Sequence, residues 1–120
     1  MLAAVAALSN KGLCPGLQIA SAVETPAVGW VVLPEPEKPV QCLSPDGAKQ
    51  VTESLRDSGK PFWEYVTSSS AKSQPITWYL AGTLSNWSGT PLAVVVVLEE
   101  TNPALAQSIG RDALQKAILP

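Results

Sequence analysis

Residues 76–99, ITWYLAGTLSNWSGTPLAVVVVLE, decide how the rest of the chain reads. Two β-rich runs flank a turn rich in Asn, Ser and Gly, the pattern of an antiparallel hairpin. In the first run Ile76, Trp78, Leu80 and Gly82 alternate with Thr77, Tyr79, Ala81 and Thr83, and the Ile76 set is the more apolar face. The second run, Leu92 to Leu98, offers no polar position at all. It is therefore expected to be buried on both faces, with a neighbour on each edge.

The elements around this hairpin supply its cover. After it, Asn102 and Pro103 form a helix start, and residues 103–118 place Leu105, Ile109, Ala113 and Ala117 beside Ala106, Gly110, Leu114 and Ile118 in a wide apolar stripe. Before it, PFWEYVTS at 61–68 reads as a strand. Ser44, Pro45 and Asp46 open a helix expected to run to about Ser58 and stop at Gly59, with Ala48, Val51 and Leu55 as its narrow apolar stripe. The segment 34–45 carries four of the 11 prolines and reads as an extended surface connection. Residues 17–23 and 29–33 are β-rich runs around a turn containing Pro26 and Gly29. At the start, MLAAVAALSNKG reads as a buried helix over 2–10 with no N-cap. It lacks the basic segment of a signal peptide and is too short to span a bilayer. A domain that begins inside a buried helix is expected to be a piece of a longer protein.

The fold class that results is α+β. A mostly antiparallel sheet with central strands at about 62–68, 76–83 and 91–99 is packed by a C-terminal helix (103–118) and an N-terminal helix (2–10). With 120 residues the chain forms a single domain or a fragment of a larger one. Its net charge of -2 provides no basic footprint for nucleic acid or anionic membrane. It has no histidine, which excludes Ser-His-Asp and Cys-His catalysis within these residues. Cys14 and Cys42 are too few for a metal site and are open to three readings: a disulfide, two free thiols, or no functional role. No metal and no cofactor is expected. Glu35, Glu37, Glu99 and Glu100 fall in a proline loop and at a strand end, where solvated carboxylates are the ordinary outcome. The four tryptophans, Trp30, Trp63, Trp78 and Trp87, read as core or interface filling before a ligand platform. Asn86-Trp87-Ser88 fits the short glycosylation pattern, which recurs by chance.

The order and wording of these segments resemble the C-terminal portion of a penicillin-binding protein transpeptidase domain, the serine acyl-transferases that cross-link bacterial cell-wall peptides. AAVAALSNKG followed by a Pro-containing extended stretch is similar to one helix and segment of that family. DGAKQVTESLRDSGK resembles the helix before the third sheet strand, and ITWYLAGT resembles the strand with an aromatic pair, Trp78 and Tyr79, followed by Gly82. LAVVVVLEETNPALAQSIGRDALQKAI is similar to the final strand and helix. The resemblance implies an extracytoplasmic location on a bacterial membrane, a membrane-anchored parent, and peptidoglycan peptide as the ligand.

The departures bear on chemistry. The family's Ser-x-x-Lys nucleophile and Ser-x-Asn motif belong before these residues; no Ser-x-Asn is present, and the one Ser-x-x-Lys string, Ser69 to Lys72, falls in the polar run read as a loop. Its Lys-Thr/Ser-Gly strand falls on Val66-Thr67-Ser68, where only the hydroxyl matches; a shifted register uses Lys72-Ser73-Gln74. Lys would supply charge for a substrate carboxylate, the hydroxyl a hydrogen bond, and Gly room for the substrate backbone. The candidate substrate-binding residues are accordingly Thr67, Ser68, Ser69 and Lys72 on a degenerate strand, with no catalytic residue; the plainer reading of the same residues is a polar loop. Expected partners are the remainder of the parent domain or a second copy through strand 92–98. The alternative is a free-standing α+β ligand-binding or sensory module of the PAS, GAF or profilin-like kind, in which one antiparallel sheet is wrapped by the helices.

Overall fold

The computed structural model describes residues 1–57, 59–69 and 74–119. The fold is α+β, with helices at both ends and three antiparallel sheets. In chain order the elements are α1 (Leu2–Ser9), β1 (Leu13–Cys14), β2 (Ala22–Thr25), β3 (Gly29–Val32), β4 (Val40–Gln41), α2 (Pro45–Ser54), β5 (Phe62–Ser68), β6 (Thr77–Thr83), β7 (Ala93–Leu98) and α3 (Pro103–Ile118). The main sheet has the order β5-β6-β7, so the quoted hairpin is its centre and one edge. Register runs from Phe62 opposite Thr83 to Ser68 opposite Thr77, and from Thr77 opposite Leu98 to Gly82 opposite Ala93.

That register sorts the side chains into two faces. Phe62, Tyr79 and Ala81 lie with Val94, Val96 and Leu98 against Ala106 and Leu114 of α3, forming the larger core cluster. Trp63, Leu80, Ala93 and Val95 lie on the other face, with Val5 and Leu8 of α1 and with Leu55 and Leu84. α3 approaches the sheet closely because Gly110 stands over Tyr79, where a Cβ would overlap the ring. α1 is pinned by a buried hydrogen bond, Trp63 Nε1 donating to Ser9 Oγ at 3.0 Å.

Several local expectations are corrected. The fully buried face of β6 is Thr77, Tyr79, Ala81 and Thr83, whereas the more apolar Ile76, Trp78 and Leu80 are only half-buried. Hydroxyls make this possible: Thr77 Oγ1 donates to Glu100 O and accepts from Asn102 N–H, and Thr83 Oγ1 accepts from Leu92 N–H. β7 is an edge strand with one strand neighbour, not a strand buried on both faces, and its Val97 is 46% exposed. The reason is helix length. At 16 residues α3 runs about 24 Å and covers its face, while α1, at 8 residues, spans about 12 Å and covers only the Ala93 end of the other. On α3 the buried stripe is Ala106, Gly110 and Leu114, and Leu105 and Ile109 are left exposed.

α2 ends at Ser54, short of the expected 58. Thr52 and Ser54 turn their hydroxyls back onto the carbonyls of Ala48 and Val51, and Leu55 leaves the helix to join the α1 cluster. Ser58 itself lies outside the described residues. The helix buries Ala48 and Thr52, not Val51, and packs on α1.

Residues 13–43 form an arm. β1 pairs with β4, and β2 pairs with β3 from Ala22 opposite Val32 to Thr25 opposite Gly29. The strand expected over 17–23 begins only at Ala22 and extends to Thr25. The β2–β3 hairpin makes no substantial contact with any other described helix or strand. Accordingly the radius of gyration is 16.6 Å, against about 14 Å for a compact chain of this length. Cys14 and Cys42 are joined in a disulfide, with Cα atoms 5.8 Å apart, closing the arm at its base. No described helix is long and apolar enough to cross a membrane.

Candidate functional site

Of the residues singled out, Thr67 and Ser68 end β5 and Ser69 follows it directly. Hydrogen bonds decide what each offers. Ser68 Oγ lies 2.8 Å from Thr77 Oγ1, on the face covered by α3. Ser69 Oγ accepts from Ile76 N–H at 3.1 Å. Both hydroxyls therefore close the β5–β6 connection. Thr67 is exposed on the opposite face, beside Tyr65 and across from Trp78. Lys72 lies outside the described residues.

The backbone of β5 adds a second feature. Ser69 N–H donates to Ile76 O across the hairpin, so the odd-numbered residues of β5 bond towards β6 and the even-numbered ones point outwards. The outward N–H of Glu64 is taken by Leu55 O. Among the described residues no partner meets the N–H groups of Val66 and Ser68. An extended peptide laid along this edge would find those main-chain groups free, with Thr67 alongside.

Beside this edge, one face of the sheet stands open. Tyr65 is 48% exposed, Thr67 and Val97 are exposed, and Trp78 and Leu80 are half-buried. Met1, Ala4, Val5 and Leu8 of the α1 segment line a shallow, wholly apolar groove with Leu55, Trp63, Tyr65 and Leu80.

Sequence reasoning missed the charged cluster on the covered face. Glu64, with its side chain only 8% exposed, accepts from Arg111 Nε and Nη2, from Lys60 Nζ at 2.7 Å and from Tyr79 Oη at 2.9 Å. The Arg111 hydrogen bonds, with help from Lys60 and Tyr79, hold the carboxyl down to about 2 against burial. Burial, reinforced by the Glu64 carboxylate, pushes the Tyr79 hydroxyl well above its ordinary value. The Glu64 bonds raise Arg111 and, with Asp57, Lys60. A carboxylate so strongly acidic is a poor proton acceptor near neutral pH; its work is to lock α3 onto β5 and β6. The available signal was a lone Glu inside the apolar run PFWEYV, at a position that the alternation places on the core side.

The remaining acids do not gather into a pair. Glu35 and Glu37 are exposed in the arm, and Glu99 and Glu100 are exposed after β7, where Glu100 accepts from Asn102 Nδ2 at 3.1 Å. Of the tryptophans, Trp63 is buried, Trp78 and Trp87 are half-buried, and Trp30 is 70% exposed on the arm. No protein-family model matches the chain, and no curated protein or solved structure shows significant similarity to it.

Proposed function

We propose that these residues are the C-terminal portion of a penicillin-binding-type transpeptidase domain, contributing one flank of a peptide site and no acyl-transfer nucleophile. The observation that carries the reading is the uneven cover of the main sheet. α3 closes one face, while the other is closed only at its Ala93 end, leaving Tyr65, Trp78 and Leu80 open beside an unpaired stretch of β5. Surface of this kind is normally covered by further protein. The exposed Leu105 and Ile109 of α3 are a second apolar strip that more chain would cover.

In this reading an extended peptidoglycan peptide adds to β5 at Val66–Ser68, with the Thr67 hydroxyl as the nearest free side-chain donor. Val66 and Ser68 stand where the family has Lys and Gly, so the carboxylate of such a peptide finds no fixed cation on the strand itself. The reading places the parent on the extracytoplasmic face of a bacterial membrane. The Cys14–Cys42 disulfide supports that location, because such bonds persist in oxidising compartments. The free-standing PAS- or GAF-like alternative draws less support, since it needs one wrapped sheet, and β2–β3 stands apart in its own.

Two measurements on the 120-residue protein test the proposal. Fluorescent penicillin is expected to leave it unlabelled, and a peptidoglycan stem peptide is expected to shift the amide resonances of residues 66–69. A covalent penicillin adduct, or peptide-induced shifts confined to another surface, would overturn it.

A further inference from the structure

The outer edge of β7 carries an inference that does not depend on the functional reading. Thr83 N–H donates to Leu92 O at 3.0 Å, which fixes the phase of the β6–β7 ladder: even-numbered residues from Leu92 to Leu98 bond to β6. The N–H and C=O groups of Ala93, Val95 and Val97 therefore point away from the sheet, and no described residue meets their N–H groups. An exposed edge is ordinarily blunted by a charge, a proline or a bulge. Here six residues, AVVVVL, carry no charge and no proline, and their register against β6 is unbroken. The devices appear only outside the strand, with Pro91 before it and Glu99 and Glu100 after it.

We infer that β7 pairs with β7 of a second copy, antiparallel about a two-fold axis at Val95, joining two three-stranded sheets into one. The end groups select this arrangement. A parallel pairing would lay Glu99 and Glu100 of one copy along Glu99 and Glu100 of the other, an uncompensated cluster of like charge. The antiparallel pairing sets Glu99 against Pro91 and Glu100 against Thr90 of the second copy, which carry no charge. With Val95 facing its own symmetry mate, Ala93 faces Val97, so every outward N–H and C=O of the three residues meets a partner. Pro91, which has no N–H, ends the new ladder on one side. The same axis keeps equivalent faces together: the half-exposed Val97 side chain gains the second copy's Ala93 as a neighbour, and the α3-covered faces stay aligned.

The phase of the ladder provides a clean test. A proline at Val95 removes an outward N–H and leaves the bonds to β6 untouched, whereas a lysine at Val97 adds the missing charge on an exposed side chain. Sedimentation equilibrium of the 120-residue protein across a hundredfold range of concentration is expected to show a monomer–dimer equilibrium. V95P and V97K are each expected to weaken it at least tenfold, with circular dichroism unchanged. Amide exchange at Ala93, Val95 and Val97 is expected to slow as concentration rises. Three results overturn the inference. One is a monomer throughout. Another is a dimer equally tight in both variants. The third is a dimer that yields to Tyr65→Arg on the open sheet face but not to V97K.

Discussion

Replacing Glu64 by Gln probes how α3 is held to the sheet. The Glu64 carboxyl falls from an ordinary 4.5 to about 2, a depression of about 2.5 units. At 1.36 kcal/mol per unit this is about 3 kcal/mol of stability, and with the side chain only 8% exposed little is lost to solvent screening. Because the folded value is the lower one, the contribution is complete above pH 4.5 and is lost as the pH falls through about 2. Glu64→Gln keeps the shape but removes the charge, leaving Arg111 without its anion and Lys60 with Asp57 alone. At pH 7 it should cost about 3 kcal/mol, or about 1.5 M in urea midpoint for a slope of about 2 kcal/mol/M. By pH 3 the wild type has itself lost about 2 of those 3 kcal/mol, so the gap between the two proteins should shrink to about 1 kcal/mol. Urea titrations of both proteins at pH 7, 5, 4 and 3 read this directly. A gap that stays constant across the series, or that is below about 0.5 kcal/mol at pH 7, would refute the assignment.

Three further perturbations follow from the packing. Gly110→Ala drives a methyl group into the Tyr79 ring and should cost about 1–3 kcal/mol, read as a lowered melting temperature; an unchanged melt would mean that α3 does not sit this close. Trp63→Phe strips the Ser9 hydroxyl of its buried donor and should cost about 2 kcal/mol, whereas Trp78→Phe, on the open face, should cost less than half of that in the same urea titration. Reducing Cys14–Cys42 releases a loop spanning 28 positions, worth about 3.5 kcal/mol of chain entropy. Because β2–β3 makes no substantial contact with any other described helix or strand, amide exchange should quicken over residues 22–32 while β5, β6 and β7 keep their protection.

The sequence located most elements because their local signals were strong. The hairpin, the 62–68 strand and the 103–118 helix each combine a clear period with a cap or a turn. Burial was harder to read, because it depends on how far each covering helix reaches. LAVVVVL shows no polar position, but nothing in it reveals that α1 is too short to cover its face. On β6 the alternation was visible, yet the threonine-bearing face became the core because its hydroxyls meet Glu100, Asn102 and Leu92, contacts set by the third dimension. The Glu64 cluster joins residues 47 positions apart, beyond any local pattern. Of the candidate site, the hydroxyl-bearing strand was legible. What it could not show was that the Ser68 and Ser69 hydroxyls are taken up by bonds within the β5–β6 connection, leaving Thr67 as the free hydroxyl among the described candidates.

The central claim is that these residues belong to a larger penicillin-binding-type domain, and the mass of the polypeptide that carries them in its source cell tests it most directly. A mature polypeptide well above the 12.6 kDa of this chain is expected, with Ser-x-x-Lys and Ser-x-Asn segments read by tandem mass spectrometry ahead of residue 1. A mature protein of 12.6 kDa, with no such segments ahead of residue 1, would contradict it.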